Sequence, residues 1–447
     1  MLARMKWLGG ALVLLVAITA GAAPAEKENI DWPGDLKLFE GQAPSAHVDL
    51  FHALKRGELH SMIGALFASA PHAPDRQMLA GLMRITSAIG DSHSGIHSIP
   101  PGLRFANVPI GVYLFADAPG VVAASPAQQD LLGGTIISIN GHSAAKVVQR
   151  MKQLTEGTND MSRSAFVVTR LVRPELLFYE GLAGGPDEYD VVVEKDGRAI
   201  VRKLHTLGRK ADGSPDTGGL SVTALASRGS DWVSAAPASL PLWLQDRGKP
   251  FWFEEISGRS TLYIQDRGVQ DEEGGQSFAA FFREAFDAIG KNRIVVLDLR
   301  LNGGGDNTLS EPLRERFKTL PAFQTRGRFF AIIGRLTQSA AQNLTTFLER
   351  NTKAIFVGEP TGESPNHFGD PELLQLPSSG ISINLSRKRW NDSFPGDQRP
   401  WTAPTLPAPL TLRDFRAGRD PALEAIWKAS GSASPRRRHS RLERSAR

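Results

Sequence analysis

The run Ile294-Val295-Val296-Leu297-Asp298-Leu299, followed almost at once by Gly303-Gly304-Gly305, constrains this chain more than any other stretch. A strand with one wet face alternates apolar and polar residues. A nearly continuous apolar run instead suits a strand covered on both faces, as in a parallel sheet. Three glycines at its end free the backbone to turn with φ > 0 and to expose N–H groups. The flanking sequence agrees with this reading. Residues 262–265 read as a strand, and Ser277 caps a helix whose apolar positions Phe278, Phe281, Phe282, Ala285, Phe286 and Ile289 follow the 3.6-residue period. A helix near 310–317, a strand at 329–333, a helix near 338–350 and a strand at 354–357 follow. This β-α-β order over 250–428 predicts a layered α/β core with functional groups at strand ends.

Upstream, residues 30–100 read as a helical segment, with an apolar rhythm through Leu50, Leu54, Met62, Leu66, Leu79, Leu82 and Met83 that ends in Gly90-Asp91-Ser92-His93-Ser94-Gly95. From 108 to 207 the texture changes to short β-like runs, with a helix-like stretch at 143–154 after Asn140-Gly141 and a hairpin through Asp196-Gly197. This order resembles a PDZ-type module. A Gly-, Pro- and Ser-rich connector opens the unassigned segment 208–250.

The two ends differ from the body. Arg4 and Lys6, an apolar run from Trp7 to Ala20, and the small residues Gly21, Ala22 and Ala23 read as an export signal over 1–22. The 14 apolar residues fall short of the roughly 20 that a spanning helix requires, so no membrane span is expected after cleavage. The chain is expected in the periplasm or outside the cell. It has no cysteine, which removes thiol nucleophiles, thiolate metal sites and disulfides together. The formal charge of +5 belongs to the ends, because residues 429–447 form a tail rich in arginine and the leader is also basic. The body between them is slightly acidic, which argues against a nucleic-acid partner; the tail reads as disordered.

Three constellations carry chemistry. Asp298-Leu299-Arg300-Leu301-Asn302-Gly303-Gly304-Gly305 presents backbone N–H groups that can bind phosphate or a tetrahedral oxyanion. A phosphate loop requires Lys-Ser or Lys-Thr after the glycines, and Asp306-Asn307 stands there instead. In Gly334-Arg335-Leu336-Thr337-Gln338-Ser339-Ala340-Ala341, Ser339 sits where a strand passes into a helix. That position suits a nucleophile and equally suits a helix-capping serine. A serine nucleophile requires a base, and His93, His97 and His367 are the histidines to consider. No clustered His and carboxylate spacing implies a metal, and no cofactor is implied.

Asp298-x-Arg300-x-Asn302-x-Gly304-Gly305, Thr337-Gln338-Ser339-Ala340-Ala341 and Val357-Gly358-Glu359-Pro360-Thr361-Gly362 together resemble the tail-specific protease and tricorn family of serine peptidases. The resemblance is specific over about 290–370. It implies a Clp-protease/crotonase-like catalytic domain preceded by a PDZ-like domain. One branch of that family uses a lysine about two dozen residues after the serine. Here the matching stretch is Thr361-Gly362-Glu363-Ser364-Pro365, without a lysine. The resemblance therefore points to the tricorn-like branch, in which Ser339 attacks, His93 takes its proton and Ser92 orients His93. A distal acid acts through that serine, with Asp397 the first choice and Asp392 the second. Backbone N–H groups near Gly303, Gly304 and Ala340 would hold the oxyanion, and Asp298, Arg300 and Asn302 would be structural. The expected partner is a peptide or an unfolded protein. A binder of hydrophobic ligands or peptides, or an esterase, could be built on the same fold.

Overall fold

Residues 30–215, 232–245, 248–290 and 293–431 are described by a computed structural model. The expected export signal, and the tail beyond residue 431, lie outside the described residues.

Three helices open the fold: α1 (Trp32–Ala46), α2 (Arg56–Ser69) and α3 (Asp75–Ala88). Asp31 caps α1 by accepting from the Gly34 N–H at 2.9 Å. Leu36, Phe39, Leu59, Ile63, Leu79, Leu82 and Met83 from these helices join one apolar cluster. Residues 47–55 are not helical, so the apolar rhythm read through Leu50 and Leu54 crosses a break between helices.

Strand β1 (Gly95–Ser98) follows, and then a seven-stranded sheet. Its members are β2 (Ile110–Leu114), β3 (Pro119–Ala124), β4 (Thr135–Ile139), β5 (His142–Ser143), β6 (Glu188–Lys195), β7 (Arg198–His205) and β8 (Val233–Ser234). The two predicted tight turns are present. Asn140 and Gly141 have φ of 49° and 76°, and Asp196 and Gly197 have 51° and 77°, the left-handed pair that a two-residue hairpin turn requires. The region is less purely β than expected. After α4 (Ala144–Lys152) come α5 (Asp160–Phe166), α6 (Val168–Leu171) and α7 (Pro174–Tyr179). Asn159 caps α5 and Pro174 starts α7, signals that the β-like texture around them obscured. Within the unassigned stretch, Trp243 and Leu244 are buried against Phe115, Val122 and Phe415, so this part is packed and is not a linker.

The core sheet holds β9 (Phe251–Ile256), β10 (Thr261–Asp266), β11 (Ile294–Asp298), β12 (Phe329–Ile333) and β13 (Ile355–Gly358), with β16 (Leu406–Pro407) at its far edge. All neighbouring pairs are parallel except β9 with β10. Burial of β11 on both faces is visible in its side chains. Val295 and Leu297 pack with α8 (Phe278–Asp287) and α11 (Ala340–Asn351), whereas Ile294 and Val296 face α13 (Pro421–Ala429). Between β11 and β12 lie α9 (Arg314–Thr319) and α10 (Pro321–Gln324); α12 (Leu412–Arg416) precedes α13.

A third sheet explains how a site can form across the chain. β14 (Asn366–Gln375) and β15 (Ser382–Asn391) make an antiparallel ribbon, and β1 joins it by pairing Gly95 with Asn384. This pairing carries Asp91–Ser94 from the N-terminal segment to the side of the ribbon whose first strand holds His367.

Candidate active site

The ends of β11, β12 and β13 lie at one edge of the core sheet, and each delivers one part of the site. After β11 comes the glycine loop. Arg300 Nε donates to Asp298 Oδ1 at 3.0 Å, and its guanidinium reaches Asp420 at the start of α13 with bonds of 3.0 and 2.9 Å. Tyr263 OH donates to Asp298 Oδ2 at 2.6 Å. Buried Asp298 and half-buried Arg300 are thus framework. Asn302 Oδ1 accepts the Gly304 N–H at 2.9 Å. That N–H is therefore committed, which corrects its expected use as an oxyanion donor. Gly304 instead supplies clearance: a Cβ there would lie 3.0 Å from both Ser339 Oγ and Ala340 N, at a φ of 109°. Gly303 is exposed, with nothing within 4 Å of where its Cβ would stand.

After β12 the chain turns through Ser339 into α11. Ser339 has φ 53° and ψ −129° and makes no capping hydrogen bond with its side chain. A non-glycine residue in this region costs roughly 1–3 kcal/mol and persists only where its surroundings enforce it. Thr337 Oγ1 enforces it by donating to Leu299 O at 2.8 Å and accepting from Gly334 N at 3.0 Å. Gln338 N donates to Asn302 O at 3.3 Å. Ser339 is therefore no ordinary helix cap. The Ala340 N–H belongs to the first turn, whose N–H groups the helix cannot use.

After β13 comes the part that the sequence reading passed over. Glu363 is completely buried, and its carboxylate accepts the Ser339 N–H. Its Oε1 lies 3.1 Å from His93 Nδ1, and its Oε2 lies 3.8 Å from His367 Nε2. The two imidazoles are near-parallel, with centroids 6.3 Å apart. They differ in access: the His93 side chain is 17% exposed and that of His367 only 1%. His93 also lines a cavity of about 190 Å³, with Ser94, Glu156, Phe166 and Arg170. His97 sits apart, 3.4 Å from Asn384 Nδ2.

His93 is held by the residue before its serine. Asp91 Oδ1 accepts the His93 and Ser94 N–H groups at 2.8 and 2.7 Å and the Ser386 hydroxyl at 2.9 Å, while Oδ2 lies 2.9 Å from His47 Nε2. Burial opposes ionisation of Asp91, but these bonds prevail and hold its carboxyl at about 2. Two expectations are corrected here. Ser92 Oγ is 2.9 Å from Thr158 Oγ1 and accepts the Thr158 N–H at 2.9 Å, so it ties down the loop and is turned to Thr158 rather than to the His93 ring. Asp397 accepts from Ser393 Oγ at 2.6 Å and from Arg399, whose guanidinium also grips Glu349. Asp397 is a structural anion, because the hydroxyl and guanidinium occupy both of its oxygens. Asp392, the second choice, accepts from Asn343.

The electrostatics follow from Glu363. Burial alone would push the His93 pKa down; the facing Glu363 carboxylate, with Asp91 and Asp370, overcomes this and raises it to about 9. Burial opposes the Glu363 charge, yet the two histidines and the Ser339 N–H draw its pKa below the ordinary value. Burial drives the His367 pKa down. A signal for Glu363 was present: it stands 24 residues after Ser339, in the stretch searched for a lysine.

No family model and no curated protein sequence matches the chain. Solved structures do. Mature CPAF complexed with lactacystin aligns at TM-score 0.59 and 11% identity, covering 90% of this chain and 97% of that one. A CPAF mutant aligns at TM-score 0.61 and 10% identity, covering 90% and 96%. The photosystem II D1 C-terminal processing protease aligns at TM-score 0.39 and 11% identity, covering 89% and 96%. The sequence motifs pointed to the tail-specific protease and tricorn family, and over nine-tenths of its length the chain has the mixed α/β fold of CPAF.

Proposed function

We propose that this protein is an exported serine peptidase working through an acyl-enzyme, with Ser339 as nucleophile and His93 as base. The observation that carries this reading is the strained Ser339 turn, whose N–H rests on a carboxylate that also faces His93. His93 Nδ1 faces Glu363, which leaves Nε2 to take the Ser339 proton as Oγ attacks the scissile carbonyl. The Ala340 N–H and a glycine-loop N–H stabilise the resulting oxyanion. On collapse the C–N bond breaks, and the leaving amine takes the proton from His93. Water then repeats the sequence on the ester and restores Ser339. Glu363 orients the imidazole and stabilises its charged form.

The choice of peptide over a small ester rests on a groove of about 560 Å³ in the PDZ-like module, lined by Leu114, Phe115, Pro119, Ile136 and Val148. Strand β2 is an edge of its sheet and borders this groove, so an extended segment can add to it as a further strand. The reading of residues 1–22 as an export signal supports an activity in the periplasm or outside the cell.

Fluorophosphonate labelling of the purified protein tests the proposal. Labelling is expected for wild type and His367→Ala, and is expected to vanish in Ser339→Ala and to fall steeply in His93→Ala. Folded wild type that resists the reagent would sink the reading, and loss in His367→Ala alone would reassign the base. A panel of peptide and ester substrates then separates peptidase from esterase.

A further inference from the structure

The glycine loop is braced from below by a residue that the reaction scheme does not use. Asp266 ends β10, is completely buried, and accepts the Gly268 N–H with Oδ1 at 3.1 Å. Its other oxygen, Oδ2, has no hydrogen-bond partner among the described residues, and neither does Nδ2 of the equally buried Asn302. A buried acceptor and a buried donor, each without a partner, thus stand on two segments that run side by side through the β10–β11 pairing and the Val269–Gly305 bridge. The chain after Asp266 also runs against the loop: Val269 N donates to Gly304 O at 2.9 Å, and Asp306 N donates to Val269 O at 2.8 Å.

We propose that Asp266 is a positioning residue for the nucleophile, acting through Asn302 to keep Gly304 beneath Ser339. In its ionised form Asp266 offers Asn302 only an acceptor, which favours Nδ2 toward Asp266 while Oδ1 holds the Gly304 N–H. The carbonyl of the same asparagine receives Gln338 N at 3.3 Å, one residue before Ser339. One residue therefore touches both parts: its side chain holds the glycine loop and its backbone carbonyl the nucleophile turn. Burial raises the Asp266 pKa to about 7, against the lowering effect of the Gly268 N–H and Asn302. Nearby charges have other partners: Asp298 binds Arg300 and Tyr263, Asp306 binds Thr308, and Arg267 reaches Trp243 O.

The position relative to Ser339 matters only if Ser339 is the nucleophile, so this inference rests on the proposed function. Its test separates the two. Asp266→Asn is isosteric but puts a donor against either Asn302 Nδ2 or the Gly268 N–H, and it is expected to slow fluorophosphonate labelling about 10- to 100-fold. The double variant Asp266→Asn/Asn302→Asp restores the donor and acceptor order with the charge moved, and is expected to recover most of that rate. Hydrogen exchange of the Gly304 amide gives a readout independent of activity: faster in the single variant, slowed again in the double. Wild type that does not label would defeat the proposed function, while the exchange series would still decide the role of Asp266. If Asp266→Asn does not fold, recovery of cooperative unfolding by the double variant supports the pairing. A single variant that labels within twofold of wild type with unchanged exchange, or a double variant without rescue, overturns it.

Discussion

Two carboxylates after the last long core strand invite comparison, Glu363 and Asp397. Both belong to buried residues. Asp397 is matched to Arg399, a cation that never gives up its proton, and its pKa is drawn down to about 2. Among the described residues Glu363 has no arginine or lysine partner. It faces two imidazoles and a backbone N–H, so its charge changes what its neighbours do. An acid paired with a fixed cation locks a loop in place. An acid paired with a titratable group sets that group's proton affinity, and catalysis requires the second kind.

The comparison breaks most visibly at Glu363. Glu363→Gln is expected to lower kcat/KM by about 10³- to 10⁴-fold, the range seen when the acid of a triad is neutralised. The same variant is expected to move the acid limb of the pH–rate profile from about 9 toward the ordinary histidine value of roughly 6.5. An unmoved limb would assign that ionisation elsewhere. Gly304→Ala is next in size. The added methyl must displace Ser339 or distort a backbone at φ 109°, and a loss of about 10²- to 10³-fold is expected in the acylation rate, with modest change in KM. Asp397→Asn is expected to leave kcat/KM within about threefold, while the lost charge-assisted bonds lower stability by about 1–2 kcal/mol at neutral pH in thermal or urea unfolding.

The two acids also part in the pH dependence of stability. His93 binds its proton more tightly when folded. While Glu363 stays ionised, its pairing with His93 therefore contributes fully below about 6.5, the unfolded value, and fades as pH rises through about 9. Asp397 does the reverse: its contribution is present above roughly 3.9, the unfolded value, and is lost as pH falls through about 2. Unfolding curves of Glu363→Gln and Asp397→Asn should accordingly converge on wild type at opposite ends of the pH scale.

Local sequence accounts for much of the fold. The unbroken apolar run before Asp298 specified a two-sided strand, Ser277 marked a helix start, and Asn140-Gly141 and Asp196-Gly197 marked tight turns. These signals are legible because each depends on neighbours within one turn or one strand. Helices α5 to α7 were not legible, because they are short and gain their apolar contacts from residues distant in the chain. In the candidate site, the strand-to-helix position of Ser339 and the polar setting of His93 could be read, because turn chemistry is local.

What joins them could not be read. His93 reaches the core because β1 pairs with β15, across nearly 300 residues of chain. Two acidic residues of similar chemistry, Glu363 and Asp397, received opposite partners through that same packing. The sequence by itself determined the strands, the turns and the reactive groups. Only the tertiary structure decided which carboxylate faces the imidazole, because a charge in a folded chain acts on what lies within a few ångströms, and the sequence does not record that distance.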